Sequence, residues 1–129
     1  MAGAKPDAVA IVDDDEAVRD SLQLLLEVTG QRAECFASAR EFLSADIADI
    51  ACLLLDYHMP DMSGLELAER LRANGEMVPI LLITGMPNAR ILAQAARLGI
   101  ARVVEKPPTE DDVLDFVVAA RRVGSAKDS

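Results

Sequence analysis

Three uninterrupted apolar runs, Ala8 to Val12, Ala51 to Leu55 and Ile80 to Ile83, constrain the fold of this chain more than any other feature. Each has the length of a strand, and none alternates apolar with polar positions. A strand with one face in water alternates with a period of two, so a continuous run is the pattern of a strand covered on both faces. Two weaker candidates, Arg32 to Phe36 and Ala101 to Val104, mix polar and apolar residues, as strands at the edge of a sheet do. The expected sheet therefore has three central strands and two edges.

Helical periodicity fills the intervals. Val18, Leu22, Leu25 and Leu26 recur at i, i+4, i+7 and i+8 behind an acidic start at Asp15 and Glu16, and Gly30 is placed to end that helix. Further helices are expected over Ser38 to Ala45, Leu65 to Ala73 and Asn88 to Leu98, the last two closed by Gly75 and Gly99. A final helix starts at a Thr109 cap and loads its first turn with Glu110, Asp111 and Asp112. It carries its stripe on Val113, Leu114, Val117 and Ala120, and closes at Arg121 and Arg122 before Gly124. Strands that alternate with helices imply right-handed crossovers and a parallel sheet with helices on both faces. With the second and fifth strands at the edges the order is 2-1-3-4-5. That is an α/β, doubly wound, five-stranded flavodoxin-like (βα)5 domain, in which ligands bind beyond the carboxyl ends of the strands.

Composition bounds the function. A chain of 129 residues with 51% hydrophobic content supports one core, so residues 1–129 are expected to form a single domain, with its core over 8–123 and short tails. The net charge of -9 repels a phosphate backbone, and the aromatic share of 3% offers few stacking platforms, so no direct nucleic-acid binding is expected. No apolar stretch approaches a membrane span and Met1 to Asp7 lacks a signal-peptide pattern, which predicts a cytoplasmic protein without membrane insertion. Cys35 and Cys52 fall in strands, where a cytosolic chain keeps them as small reduced core residues, and two lone cysteines make no metal site.

The polar residues that remain sit at strand ends. The first strand ends in Asp13, Asp14 and Asp15, the third in Asp56, the fourth in Thr84, and the fifth in Glu105 and Lys106, all expected on one rim. Turns favour Asp and Thr in their own right, so each taken alone is an ordinary loop or cap residue. Their convergence points to chemistry. Carboxylates about 5 Å apart repel by about 3 kcal/mol per pair at an effective dielectric near 20, a cost that a hard divalent cation relieves. Magnesium takes oxygen ligands and favours one or two carboxylates together with phosphate oxygens, whereas no His or Cys cluster suits zinc. One carboxylate could also act as a nucleophile that forms an acyl phosphate, with Thr84 and Lys106 supplying a hydroxyl and an ammonium. Asp56 ends the most buried strand and begins the turn through Tyr57, His58, Met59 and Pro60, which makes it the central candidate. Asp13 and Asp14, ahead of a helix N-terminus on the neighbouring strand, are the candidates to hold the metal.

The run Val12-Asp13-Asp14-Asp15, the segment Leu55-Asp56-Tyr57-His58-Met59-Pro60-Asp61-Met62-Ser63-Gly64, then Ile83-Thr84-Gly85 and Glu105-Lys106-Pro107 together resemble a bacterial two-component response-regulator receiver domain. The likeness covers residues 8–123 and is to the stand-alone, chemotaxis-regulator-like kind. It implies that Asp56 accepts a phosphoryl group from a sensor histidine kinase, a histidine phosphotransfer protein or a small acyl phosphate. The implied cofactor is Mg2+, held by Asp13, Asp14, Asp56 and the backbone carbonyl of His58. Thr84 would bond one phosphoryl oxygen and shift on phosphorylation, Lys106 would pair with another, and the Lys106–Pro107 peptide would be cis. Phosphorylation would then change the surface around the fourth helix, fifth strand and fifth helix to control a downstream protein. On this reading the chain is no enzyme, but a phosphoacceptor that assists its own phosphorylation and dephosphorylation.

Two positions depart from the family's pattern. Val103 stands where receivers usually carry Tyr, Phe or His, so the switch pair of Thr84 and an aromatic ring lacks its ring, and Pro108 stands where many have Phe. They motivate an alternative, a phosphorylation-independent pseudo-receiver acting as a protein-binding module. A magnesium-dependent aspartyl phosphatase of the haloacid dehalogenase pattern wants Asp-x-Asp-x-Thr, and Asp13-Asp14-Asp15-Glu16-Ala17 lacks the threonine. His58 and Met86 flank the expected phosphoryl site and are expected to tune the lifetime of an acyl phosphate. Arg90, Arg97, Arg102, Arg121 and Arg122 are candidates for a contact face. The tail Ser125 to Ser129 is too short for an output module, so signalling by contact is the expectation.

Overall fold

Strand and helix alternate throughout the computed structural model, which describes residues 6–128. The elements are β1 (Ala8–Val12), α1 (Glu16–Val28), β2 (Arg32–Phe36), α2 (Ala39–Leu43), β3 (Ile50–Asp56), α3 (Gly64–Ala73), β4 (Ile80–Thr84), α4 (Ala89–Arg97), β5 (Arg102–Glu105) and α5 (Glu110–Asp128). All five strands are parallel, in the order β2-β1-β3-β4-β5 that the apolar runs predict.

The lack of alternation in β1, β3 and β4 has a direct cause, because each strand feeds two cores. Ala8, Ala10 and Val12 join Leu53, Leu55, Ile80 and Leu82 on the face covered by α2, α3 and α4. Val9 and Ile11 join Cys52, Leu54, Leu81 and Ile83 on the face covered by α1 and α5. Each fully buried Leu or Ile there contributes about 1.5–3 kcal/mol, so the three central strands fix the sheet. The edges bury less: only Phe36 of β2 and Val104 of β5 are buried.

Side-chain caps set the helix starts. Asp15 accepts from the amides of Ala17 and Val18, Ser38 from Glu41 and Asn88 from Ile91. Ser63 and Glu66 form a reciprocal capping box on α3, and Thr109 and Asp112 do the same at α5. Ser38 and Asn88, expected as first helical residues, are therefore caps. β3, β4 and β5 each end one residue beyond the expected strand because the ladder pairs Asp56 with Ile83 and Thr84 with Glu105; β3 also begins one residue earlier, at Ile50, and β5 one later, at Arg102. Gly75 and Gly99 follow α3 and α4 with φ of 81° and 67°, the left-handed conformation that ends a helix. Gly124 does not end α5, which continues to Asp128; an interior glycine costs about 1 kcal/mol relative to alanine, too little by itself to stop a helix. The Lys106–Pro107 peptide is cis. Among the described residues no helix is long and apolar enough to cross a membrane.

Candidate functional site

The register of the sheet brings the polar strand ends to one level. Val12 pairs with Leu55, so Asp13 and Asp56 follow side by side, and Thr84 and Lys106 lie one strand and two strands further on. The backbone holds this rim: the Asp13 amide donates to Phe36 O at 3.2 Å, that of Tyr57 to Ile83 O at 2.8 Å and that of Lys106 to Thr84 O at 2.9 Å. Asp13, Asp56 and Thr84 are the buried polar residues of the described chain, while Asp14 is exposed. One carboxylate oxygen from each of Asp13, Asp14 and Asp56 lies within 4.8 Å of the others. Lys106 Nζ sits 3.0 Å from Asp56 Oδ1 and 3.9 Å from Asp13 Oδ2.

These distances make the rim electrostatically strained. Burial pushes the Asp13 carboxyl up to about 6; the Asp15 amide and the Lys106 ammonium oppose the rise, and the Asp56 and Asp14 charges add to it. Burial also raises Asp56, against the pull of Lys106 and the His58 amide. Lys106 is raised although burial alone would lower it, because the Asp56, Asp13 and Asp14 carboxylates favour its charge. Asp13 Oδ2 and both oxygens of Asp56 are buried, and the Lys106 ammonium, 3.0 Å from Asp56 Oδ1 and 3.9 Å from Asp13 Oδ2, is the one cation beside them among the described residues. Buried carboxylate oxygens with so few donors are rare, and one each from Asp13 and Asp56 lie within 4.8 Å of each other. Three carboxylates with free oxygens and no nitrogen or sulfur donor fit a hard, oxygen-seeking divalent ion such as Mg2+.

The other expected residues divide. Thr84 Oγ1 accepts a long 3.3 Å hydrogen bond from the Met86 amide, which ties the rim to the loop before α4. Val103 pairs with Leu82 and packs half-buried against the α3–α4 side of the core. His58 is exposed, with its ring edge-on to Tyr57 at 5.3 Å, and Met86 is 80% exposed. The five arginines have different surroundings, and Arg122 is exposed. Arg102 pairs with Asp112 at 3.2 Å and Arg121 with Asp7 at 3.1 Å. Among the described residues Arg90 and Arg97 have no acidic partner within 4.0 Å, and they line a groove of about 620 Å³ between α3 and α4 with Tyr57, Glu66, Glu69 and Gln94.

Three supporting residues escape a reading of the sequence. Arg19, one turn into α1, donates from Nη1 to Asp13 O at 2.7 Å and braces the loop that carries the acidic pair. Asp61 Oδ2 accepts from the Arg40 amide at 2.9 Å and ties the β3–α3 loop to the start of α2. The Gly64 amide donates to Tyr57 O at 2.8 Å, and a Cβ at Gly64 would meet Asp56 O at 2.5 Å. Asp61 and Gly64 lie in the segment that carries the family resemblance, but their contacts are to backbone atoms that the sequence does not name, and nothing local marks Arg19.

The sequence matches the family profile of the response regulator receiver domain over residues 9–118. It is 38% identical over 117 residues to the response regulator protein TmoT of Ectopseudomonas mendocina, covering 89% of this chain and 53% of that protein. It is 40% identical over 113 residues to the transcriptional regulatory protein FixJ of Azorhizobium caulinodans, covering 87% and 54%. The chain thus spans about half the length of the curated relatives it matches. Its fold superimposes on a CheY-like response regulator receiver domain protein from Methanospirillum hungatei with a TM-score of 0.86 and 26% identity, over 94% of this chain and 98% of the other. With its five-stranded sheet, its acidic rim and this profile match, the chain belongs to the response-regulator receiver domain family.

Proposed function

We propose that Asp56 accepts a phosphoryl group from a phosphohistidine on a sensor histidine kinase or a histidine phosphotransfer protein, and that the acyl phosphate changes how the domain binds a downstream protein in the cytoplasm. The observation that carries this reading is the buried Asp56 carboxylate, within 4.8 Å of the Asp13 and Asp14 carboxylates and with its Oδ1 3.0 Å from the Lys106 ammonium. An Asp56 carboxylate oxygen attacks phosphorus, the P–N bond breaks, and its electron pair returns to the imidazole nitrogen. Lys106 Nζ, 3.0 Å away, is positioned to pair with a phosphoryl oxygen, and the Thr84 hydroxyl on the neighbouring strand to donate to another. A bound Mg2+ would neutralise charge on the incoming group, with Asp13, Asp14, Asp56 and the His58 carbonyl as its ligands. Donation by Thr84 Oγ1 reorients the hydroxyl that now receives the Met86 amide, which gives the loop into α4 a reason to move. The surface that changes is then α4, β5 and α5, and with a valine at 103 the change travels through that loop without an aromatic ring.

The test is the intact mass of the wild type and Asp56→Asn after incubation with acetyl phosphate, with and without magnesium. A single phosphoryl adduct on the wild type, dependent on magnesium and missing from Asp56→Asn, is the expected result. An adduct retained by Asp56→Asn would move the acceptor elsewhere, and a wild type that stays unmodified by acetyl phosphate and by phosphohistidine donors would favour the pseudo-receiver reading. His58→Ala and Met86→Ala remove the side chains expected to control water at the adduct. Each is expected to change its decay rate by about threefold to tenfold, equivalent to about 1 kcal/mol in the barrier, read from the mass signal after the donor is withdrawn. Decay at the wild-type rate in both variants would remove them from that role.

A further inference from the structure

α4 is held very differently at its two ends. At the carboxyl end, the Arg72 side chain reaches across from α3 and donates four hydrogen bonds to backbone carbonyls. Its Nε bonds Leu98 O at 2.7 Å, Nη1 bonds Glu76 O and Val78 O at 2.9 Å each, and Nη2 reaches Gly99 O at 3.4 Å. Leu98 is the carboxyl cap of α4 and Gly99 the left-handed residue after it, so these carbonyls are ones the helix itself leaves unpaired. Glu76 and Val78 belong to the α3–β4 loop, so one guanidinium joins three segments. The amides there are also bonded, Ile100 to Ala95 O at 3.0 Å and Ala101 to Ile80 O at 3.0 Å.

The amino end has weaker restraints. It holds the Asn88 cap, with Ile91 N bonded to Asn88 Oδ1 at 2.9 Å and Leu92 N to Asn88 O at 3.0 Å, the buried Ile91 side chain, and the 3.3 Å bond from Met86 N to Thr84 Oγ1. Among the described residues, however, no side chain from another helix bonds its backbone as Arg72 does at the far end. Gly85, Met86, Pro87 and Asn88 are all exposed. The loose end is also the end next to the proposed phosphoryl site, because its loop hangs on Thr84.

We propose that Arg72 is a positioning residue of the switch: it pins the carboxyl end of α4, so that an acyl phosphate at Asp56 swings the amino end of the helix about that pin instead of shifting the whole helix. The inference rests on the phosphoacceptor reading above. A planar donor fork suits this task because it fixes direction as well as distance, which a lysine ammonium does not. Removing it leaves four carbonyls to find water, so the pinned end becomes free to move with the rest.

Amide hydrogen exchange on the whole chain, with and without beryllofluoride and magnesium as a mimic of the acyl phosphate, tests this directly. In the wild type the mimic is expected to change exchange at Met86, Ile91 and Leu92 by about tenfold or more, while Leu98, Gly99 and Ile100 stay within about twofold. In Arg72→Ala, exchange at Leu98, Gly99 and Ile100 is expected to rise about tenfold without the mimic, and its addition then alters both ends of α4. Arg72→Lys should recover only part of the protection. Equal responses at the two ends in the wild type would overturn the pin, and that result needs no variant to fold. Unchanged exchange at Leu98 to Ile100 in Arg72→Ala would overturn it as well. Failure of the phosphoacceptor reading is distinguishable, since it appears as no response to the mimic anywhere, the amides of Asp13, Asp14 and Asp56 included.

Discussion

Gly64→Ala is expected to lower stability by about 2–4 kcal/mol, roughly 10 °C in melting temperature for a chain of this size, and to slow phosphorylation beyond what that loss explains. Propensity argues the other way, because alanine in a helix is favoured over glycine by about 1 kcal/mol. The position overrides it. An alanine Cβ would stand 2.5 Å from Asp56 O, 2.9 Å from Leu82 Cδ1 and 3.1 Å from Tyr57 Cα. The Leu82 methyl can rotate aside, but the other two atoms are backbone at the end of β3, and the Gly64 amide is bonded to Tyr57 O at 2.8 Å. Relief therefore moves α3 away or displaces the strand end that carries Asp56. Gly75→Ala is the control: its Cβ would meet nothing within 4 Å, and only the φ of 81° opposes it. That variant should lose about 1 kcal/mol and keep its phosphorylation rate with acetyl phosphate. Thermal melts and adduct formation on both variants decide the matter. Equal losses in the two would show that the approach to Asp56 O carries no special cost.

The same contrast shows what a sequence of this type makes legible. β1, β3 and β4 could be read because burial on two faces leaves a compositional trace, an apolar run without alternation, that needs no partner to be recognised. Strand order followed because the two mixed runs had to be edges. Residues at strand ends could be grouped because a parallel sheet carries every carboxyl end to one rim. What depends on a particular distance left no trace. Arg72, Arg102 and Arg121 look alike in sequence, yet one holds four carbonyls and the other two pair with Asp112 and Asp7. Only coordinates tell which arginines a fold has already used. β3, β4 and β5 each extend one residue past the carboxyl end that hydropathy marks for a related reason: Asp56, Thr84 and Glu105 are polar, so an apolar pattern stops before them, while the hydrogen-bond ladder does not.

Asp13→Asn is expected to stabilise the metal-free protein near neutral pH and to remove most of its response to magnesium. Asp13 is 2% exposed and its carboxyl is raised to about 6 from 3.8 by burial, with the Asp56 and Asp14 charges adding to the rise. Between those two values the folded protein keeps a proton on Asp13 that the unfolded chain releases. Unfolding free energy then falls as pH rises, so the contribution of protonated Asp13 is complete below about pH 4 and lost above about pH 6. A shift of this size corresponds to at most about 3 kcal/mol, or up to about 10 °C in melting temperature. Asp56, raised by burial, pushes in the same direction, while Asp61, held low by the Arg40 amide, and Asp112, held low by the Thr109 amide, push in the opposite one, so the pH profile of the wild type alone mixes these effects. The difference between the wild type and Asp13→Asn cancels those of Asp61 and Asp112 and leaves Asp13 with its coupling to Asp56. In chelator, the asparagine variant should melt above the wild type at about pH 7.5, and the gap should close toward about pH 4.5. Magnesium at tenfold its dissociation constant adds about 1.4 kcal/mol to a protein that binds it, so the wild type at about pH 7.5 should gain several degrees and Asp13→Asn far less. Parallel melting curves for the two proteins at every pH would show that the buried carboxylate costs the fold nothing. An equal gain with magnesium would take Asp13 out of the cation site.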